Sequence, residues 1–547
     1  MKVVTVPSFP SRKHLISRLK ETNFDILVIG GGATGSGAFV EAASRGLKVA
    51  LIEKNDFSAG TSSRSTKLIH GGVRYLENAF KRLDRHEYEL VRDALRERAR
   101  FLKNAPHLTN PLPILTPVYG WFDAFYYLIG LKVYDLLSGD ATLGPSEFIS
   151  RRQMIKRYPL VKQKGLKGAV SFYDGQFDDA RMNITLILSG IRESGVALNY
   201  LRADSLIIEQ GRVLGAMGHD LESGENFPIT ARTVINATGC FADHIRHMER
   251  PEVDALMVAS QGTHILLPAK FSPSGAGLII PDTEDGRVVF ILPWQGKTLA
   301  GTTDNVANIS DTPKASGEEV DYILENVAGL VDVKPKRSDV LATWSGLRPL
   351  ARPSKDMKSA CISRDHLIEV SPGHLITIVG GKWTTYRKMG EDVINTAITV
   401  GELTPARGSI TKDLRLVGAR FFKENLAEEL IRQKKLAPDI AAHLAKSYGD
   451  RVETILALGT PALSQRLLEG YPFIEAEVLY ATRYEYALSA FDIIARRMRL
   501  AFLDYHAAKK VLPKVVSLMS QELAWPQSRK NEELARALAL LETMFTA

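Results

Sequence analysis

The chain has 547 residues, with 70 Lys and Arg against 62 Asp and Glu for a net charge of +8, and it is 45% hydrophobic and 24% charged. That composition excludes a disordered chain. Two cysteines, Cys240 and Cys361, without a CxxC, exclude a disulfide framework and a cysteine-based zinc site, so no metal is expected. The basic excess leaves nucleic acid, an anionic membrane surface or anionic substrates as partners.

The first 20 residues carry Lys2, Arg12, Lys13, Arg18 and Lys20 with no acid, and read as a solvated lead-in or a surface-seeking arm without a signal-peptide core. Residues 24–29, FDILVI, form a short β-branched run that suits a buried parallel strand. The run enters Gly30-Gly31-Gly32-Ala33-Thr34-Gly35, a GxGxxG, followed by a helical stretch 33–45, Gly46, and a second strand 47–52 that ends at Glu53. Gly30 allows the tight turn, Gly32 lets the backbone approach a pyrophosphate, and Gly35 lets helix and strand pack closely. The helix N-terminus meets the phosphates, and Glu53 accepts hydrogen bonds from a ribose. A glycine motif alone is weak; with strand, helix and terminal acid around it, it predicts a dinucleotide site.

The polar run 54–67 follows, and its Thr61, Ser62, Ser63 and Lys67 offer a second set of donors to a long, permanently bound cofactor. Residues 104–122 are the longest uncharged stretch, but Pro106, Pro111, Pro113 and Pro117 rule out one spanning helix. The aromatics that follow, from Tyr119 to Tyr134, suit either a bilayer interface or an internal core. Residues 233–239 form another strand, ending in Ala-Thr-Gly239, and residues 375–379 feed Gly380-Gly381-Lys382. Three strand-to-glycine junctions spread over about 350 positions predict one cofactor domain rebuilt from separated segments. His264 stands alone in an uncharged run, 255–269, where a core histidine and a catalytic one remain alternatives. Residues 287–293 and 297–301 read as paired strands around a Gln-Gly turn, and 405–547 reads as α-helical.

The chain resembles the FAD-dependent glycerol-3-phosphate dehydrogenases, quinone-linked enzymes of bacterial membranes and the mitochondrial inner membrane. The resemblance is carried by FDILVIGGGATGSG (24–37), GTSSRSTKLIHGGVRYLE (60–77), YDGQFDDARMN (173–183), INATG (235–239), WSGLRPL (344–350) and GGKWTTYRKM (380–389). It implies FAD as cofactor and an α/β, mosaic α+β fold. A Rossmann-like FAD domain would combine with a mixed-sheet substrate domain in 20–404 and an α-helical C-terminal domain in 405–547. The FAD pieces are expected near 20–100, 165–250 and 340–400, and the substrate layer near 101–164 and 251–339. Cys240 stands where the family often has proline, and no EF-hand loop follows, so calcium control is not implied.

The resemblance further implies that Arg348, Arg364 and Lys382 hold the substrate phosphate, the two arginines through planar guanidinium forks, with Tyr75 and His264 as further site lining. His264 is the candidate base for the C2 hydroxyl, with His70 as its rival, and Arg348 also serves a developing alkoxide. The expected reaction converts sn-glycerol 3-phosphate to dihydroxyacetone phosphate with a membrane quinone as acceptor; the alternative is an oxidase that makes hydrogen peroxide. The expected place is the inner face of a bacterial plasma membrane, alternatively the mitochondrial inner membrane, against an anionic lipid surface, with a homodimer left open. Nucleic acid is disfavoured because 405–547 carries 21 basic and 17 acidic side chains without a dense stripe.

Overall fold

A computed structural model describes residues 9–72, 85–273, 275–280, 287–351, 366–459 and 464–546. Tyr75, Arg364 and the strand expected around Cys361 lie outside these described residues.

Two sheets organise the chain. In the first, the order is β17 (His366–Val370), β18 (Leu375–Gly380), β10 (Asn226–Asn236), β1 (Phe24–Ile29), β2 (Val49–Ile52) and β7 (Val196–Leu198). β8 (Leu201–Glu209) and β9 (Arg212–Asp220) extend it antiparallel beside β10. β18, β10, β1, β2 and β7 run parallel. Parallel strands need cover on both faces, which explains why β2 is apolar throughout and β1 is apolar but for the half-buried Asp25. The helix Ala33–Ser44 joins β1 to β2 and is buried from Gly35 onward. Gly46, at φ +80°, follows its C-cap, Arg45.

The second sheet runs β15 (Asn305–Val306), β11 (Met257–Pro268), β14 (Lys297–Gly301), β13 (Val289–Trp294), β12 (Gly277–Ile280), β4 (Thr109–Val118), β6 (Gly168–Phe177) and β3 (Leu68–Ile69). β16 (Ala342–Ala351) pairs with β11, and β5 (Glu147–Ser150) with β6. β13 and β14 meet at Gln295-Gly296, both at positive φ, as a tight hairpin turn requires. Alternation along β11 sends Ile265 and Leu267 into a core with the helix Gly317–Leu330. Leu266 goes into a core with the C-terminal helices.

Three expectations change. β6 and β16 fall in ranges assigned to the cofactor pieces, 165–250 and 340–400, yet belong to the second sheet, because β6 finds β4 and β16 finds β11 as long-range partners. The region 405–547 is helical among its described residues, but it shares a core with Trp294 and Trp344 of the second sheet. The basic lead-in becomes the helix Arg12–Glu21, in which Arg12 pairs with Asp220 and Lys20 with Glu225.

Candidate active site

Because β1, β10 and β18 are adjacent and parallel, their C-terminal ends bring the three glycine junctions side by side. This follows the rule that ligands bind outside the carboxyl ends of such strands. A cavity of about 320 Å³ opens there, lined by Gly30, Gly32, Glu53, Thr61, Ser62, Gly239, Gly380 and Lys382 among others.

The geometry fits a dinucleotide. Gly30 sits at φ +113°, and a Cβ on Gly35 would run into the Gly30 carbonyl oxygen, so helix and strand can approach only with glycine there. Gly32 caps the helix Ala33–Ser44 without a side chain, which leaves its N-terminus turned to an anion. Ser62 Oγ accepts from the Ala33 amide at 2.8 Å, which brings the 61–63 turn against that N-terminus. Glu53 accepts from the Gly31 and Asn55 amides at 2.7 and 2.9 Å; burial pushes its pKa up, and those two amides pull it back.

Not every expected cofactor residue lines the cavity. Gly35 acts in packing. Ser63 is buried, with its carbonyl accepting from Lys67 and Arg499. Lys67 is fully buried and donates to Asp179 at 2.7 Å and to the Ser63 and Ser65 carbonyls at 3.0 Å. A buried ammonium needs such a partner, and burial lowers the Lys67 pKa to about 8 despite Asp179.

The candidate base is built on the pairing of β11 with β16. Register places His264 opposite Trp344, Gly262 opposite Gly346 and Ser260 opposite Arg348, all on one face. The imidazole stacks on the Trp344 indole, with centroids 5.4 Å apart and planes at 12°. Nε2 is 2.9 Å from Thr66 Oγ1, and Nδ1 is buried with no hydrogen-bond partner among the described residues. Burial first, then Lys67 and Arg348, drives its pKa well below the usual histidine value, so His264 is neutral at physiological pH.

Arg348 reaches Asp304 at 3.0 Å, Thr302 Oγ1 at 3.1 Å and the Thr303 carbonyl at 3.1 Å, while its neighbours Leu347 and Pro349 line the cavity. His70 follows β3, and its carbonyl accepts from Thr384 beside the Gly380 turn. The stretch 61–70 therefore contacts one histidine candidate, through Thr66, and carries the other.

Sequence reading missed Thr66 and Trp344, which fix the ring of His264, and Thr302 and Asp304, which hold Arg348. It also missed Trp383, whose indole donates to the Ser62 carbonyl at 2.9 Å. WSGLRPL and GGKW contain two of them, but the contacts depend on cross-strand register. Cys240, at the family's proline position, is buried in the cavity wall, and burial pushes its thiol up to about 11.

A parallel sheet with a glycine-turn dinucleotide cleft, together with a mixed sheet that carries a neutral histidine and an arginine, has the makeup of a flavoprotein oxidoreductase. The FAD dependent oxidoreductase family pattern matches residues 25–387, and that of the C-terminal domain of alpha-glycerophosphate oxidase matches 409–530. The chain is 44% identical over 98% of its length, and 76% of the relative's, to a probable mitochondrial glycerol-3-phosphate dehydrogenase of Caenorhabditis elegans. It is 45% identical over 97% of its length, and 75% of the relative's, to mitochondrial glycerol-3-phosphate dehydrogenase of Bos taurus. Its fold is similar to the glycerol-3-phosphate dehydrogenase of Bacillus halodurans complexed with FAD, at a TM-score of 0.80, 27% identity and 98% of each chain. The chain belongs to the FAD-dependent oxidoreductase family, among the glycerol-3-phosphate dehydrogenases.

Proposed function

We propose that the chain oxidises sn-glycerol 3-phosphate to dihydroxyacetone phosphate and passes the electrons to a membrane quinone. The observation that carries the reading is the neutral, ring-stacked His264 on the same strand pair as Arg348; neither lines the cleft, but their neighbours Ser65, Leu347 and Pro349 do. Bound FAD supplies the oxidising power, accepting two electrons and the hydrogen from the carbinol carbon. Arg348 grips the phosphate and steadies charge on the oxidising oxygen, with Lys382 from the cavity wall and with Tyr75 and Arg364 as further contacts. His264 receives the hydroxyl proton, with Thr66 Oγ1 2.9 Å from its Nε2 and the Trp344 stack holding the ring in plane.

A membrane face is supported by the helix Trp121–Ser138. Its buried side carries Leu131 and Tyr134, while Trp121, Phe122, Phe125 and Leu136 are between 65% and 79% exposed. Such an apolar stripe at helical spacing suits a bilayer interface. Trp121 lies 6.0 Å from Phe148, and Tyr119 donates to the Lys162 carbonyl at 3.0 Å, next to a stretch, 149–173, with seven cations and no acid. Aromatics with a basic rim suit anionic lipid. No helix among the described residues is long and apolar enough to cross a membrane.

The acceptor is tested by reducing the holoenzyme anaerobically with substrate, then mixing it with a water-soluble quinone or with air-saturated buffer. Faster reoxidation by quinone is expected; faster reoxidation by oxygen would favour the oxidase reading, which the alpha-glycerophosphate oxidase match at 409–530 keeps open. For the membrane face, Phe122→Ser with Phe125→Ser is expected to abolish co-sedimentation with phosphatidylserine vesicles. Retained sedimentation would remove this helix from the interface.

A further inference from the structure

The loop 56–67 carries the cavity-lining Ala59 to Ser62 and ends at the Thr66 contact to His264. Three arginines from the far end of the chain hold it. Asp56 accepts from Arg496 Nε at 2.6 Å and from Arg497 at 2.7 and 2.9 Å. At the loop's other end, Arg499 Nη2 donates to the Ser63 carbonyl at 2.7 Å and to Asp179 at 2.9 Å. Asp179 in turn accepts from the Ser65 amide at 3.0 Å, the Ser65 hydroxyl at 2.7 Å and the Lys67 ammonium at 2.7 Å. Asp56, Lys67, Asp179, Arg497 and Arg499 are each 1% exposed or less.

The backbone is shaped to make this possible. In a regular α-helix, Arg497 would point about 100° away from Arg496 and about 160° away from Arg499. Ile493–Arg497 is instead a π-helical turn, and Arg499 sits at φ +66°, a conformation unfavourable for a side chain with a Cβ. Single π turns concentrate at functional sites. Phe502 completes the arrangement: the Arg499 guanidinium lies 3.8 Å from its ring centroid, and the same ring packs 5.0 Å from Trp344, the residue stacked on His264. Buried ion pairs add little net stability compared with apolar packing of the same shape, but their hydrogen bonds are directional. Such a cluster, spent on one loop, sets position rather than bulk stability.

We infer that the C-terminal helical region clamps the flavin-binding loop, with Arg499, supported by Arg496 and Arg497, as a positioning residue for Asp56 to Thr66. FAD retention then depends on a side chain far in sequence from every glycine motif and absent from the cavity wall.

The test uses the full-length holoenzyme with Arg499→Met, Arg499→Lys and a control, Arg451→Met. Arg451 is a buried arginine of the same region that donates to the Tyr480 hydroxyl at 3.0 Å, away from the loop. FAD release on dilution, the visible circular dichroism of bound flavin, and hydrogen exchange in 56–67 are measured together with far-ultraviolet circular dichroism and Tm. Arg499→Met is expected to keep its helix content, release FAD at least about tenfold faster, alter the flavin dichroism and speed exchange in the loop, since one charge-assisted hydrogen bond is worth about that factor. Arg499→Lys restores part of each effect, and Arg451→Met lowers Tm but leaves the flavin signature and loop exchange unchanged. Wild-type release, dichroism and exchange in a folded Arg499→Met would overturn the inference, as would the same changes in Arg451→Met. Should Arg499→Met fail to fold, Arg499→Lys decides: FAD release at least about threefold faster supports the clamp, and unchanged release overturns it.

Discussion

Gly262→Ala probes the placement of Arg348 without removing a polar atom. An added Cβ would fall 2.5 Å from Arg348 Nη2 and 2.7 Å from Thr302 Oγ1. Contact distances between carbon and nitrogen are about 3.5 Å, so the guanidinium must retreat by about 1 Å. That strains the Nη2 bonds to Thr302 Oγ1 and the Thr303 carbonyl, both 3.1 Å. A hydrogen bond to a charged group is worth about 1.5–3 kcal/mol, and one extra methyl in a packed site costs about 1–3 kcal/mol. A phosphate grip displaced by this much loses about 2–3 kcal/mol in the transition state, roughly a 30- to 150-fold fall in kcat/KM. Gly262 is not in the cavity wall, so FAD content stays normal. The assay is steady-state turnover with an artificial electron acceptor, normalised to bound flavin. An FAD-replete Gly262→Ala protein with kcat/KM within about threefold of wild type would refute the phosphate role of Arg348.

Three further outcomes follow from the same structure. In anaerobic single turnover, His264→Gln slows flavin reduction by about 10²- to 10⁴-fold while His70→Gln leaves it nearly unchanged; the reverse order would make His70 the base. Gly35→Ala expresses as a colourless protein, because its Cβ meets the Gly30 carbonyl, and wild-type FAD content would contradict the close helix–strand approach. Burial, with Arg181 behind it, pulls the His107 pKa to about 3. The unfolded chain therefore binds the extra proton first, and stability falls as pH drops from about 6.5 toward 3, by roughly 2–3 kcal/mol at pH 4.5. Denaturant unfolding across that range should show a shallower acid slope for His107→Gln, and equal slopes would refute the buried, neutral state.

What the sequence revealed and what it concealed divide along the range of the interactions. FDILVIGGGATGSG could be read because strand, turn, helix and Glu53 are neighbours, and the β13–β14 hairpin because its turn residues lie between its strands. WSGLRPL was recognisable as a site segment but not as part of the second sheet, since its pairing with β11 bridges about 80 positions. Lys67, in a polar run beside cavity residues, read as a cofactor donor; its partner Asp179 lies 112 residues on. Residues 485–503 read as helical, and the break at Arg499 comes from buried partners at positions 56, 63 and 179 that local propensity cannot register. The aromatic stretch held two answers at once: Tyr134 is core, whereas Trp121, Phe122 and Phe125 face outward.

The central claim is that this flavoprotein takes its electrons from a phosphorylated glycerol held by Arg348 and deprotonated by His264. Anaerobic titration of the holoenzyme with sn-glycerol 3-phosphate, followed by visible flavin absorbance, tests it most directly. Saturable bleaching by sn-glycerol 3-phosphate, with none by glycerol at the same concentration, is the predicted result. An unbleached flavin, or equal bleaching by glycerol, would contradict it.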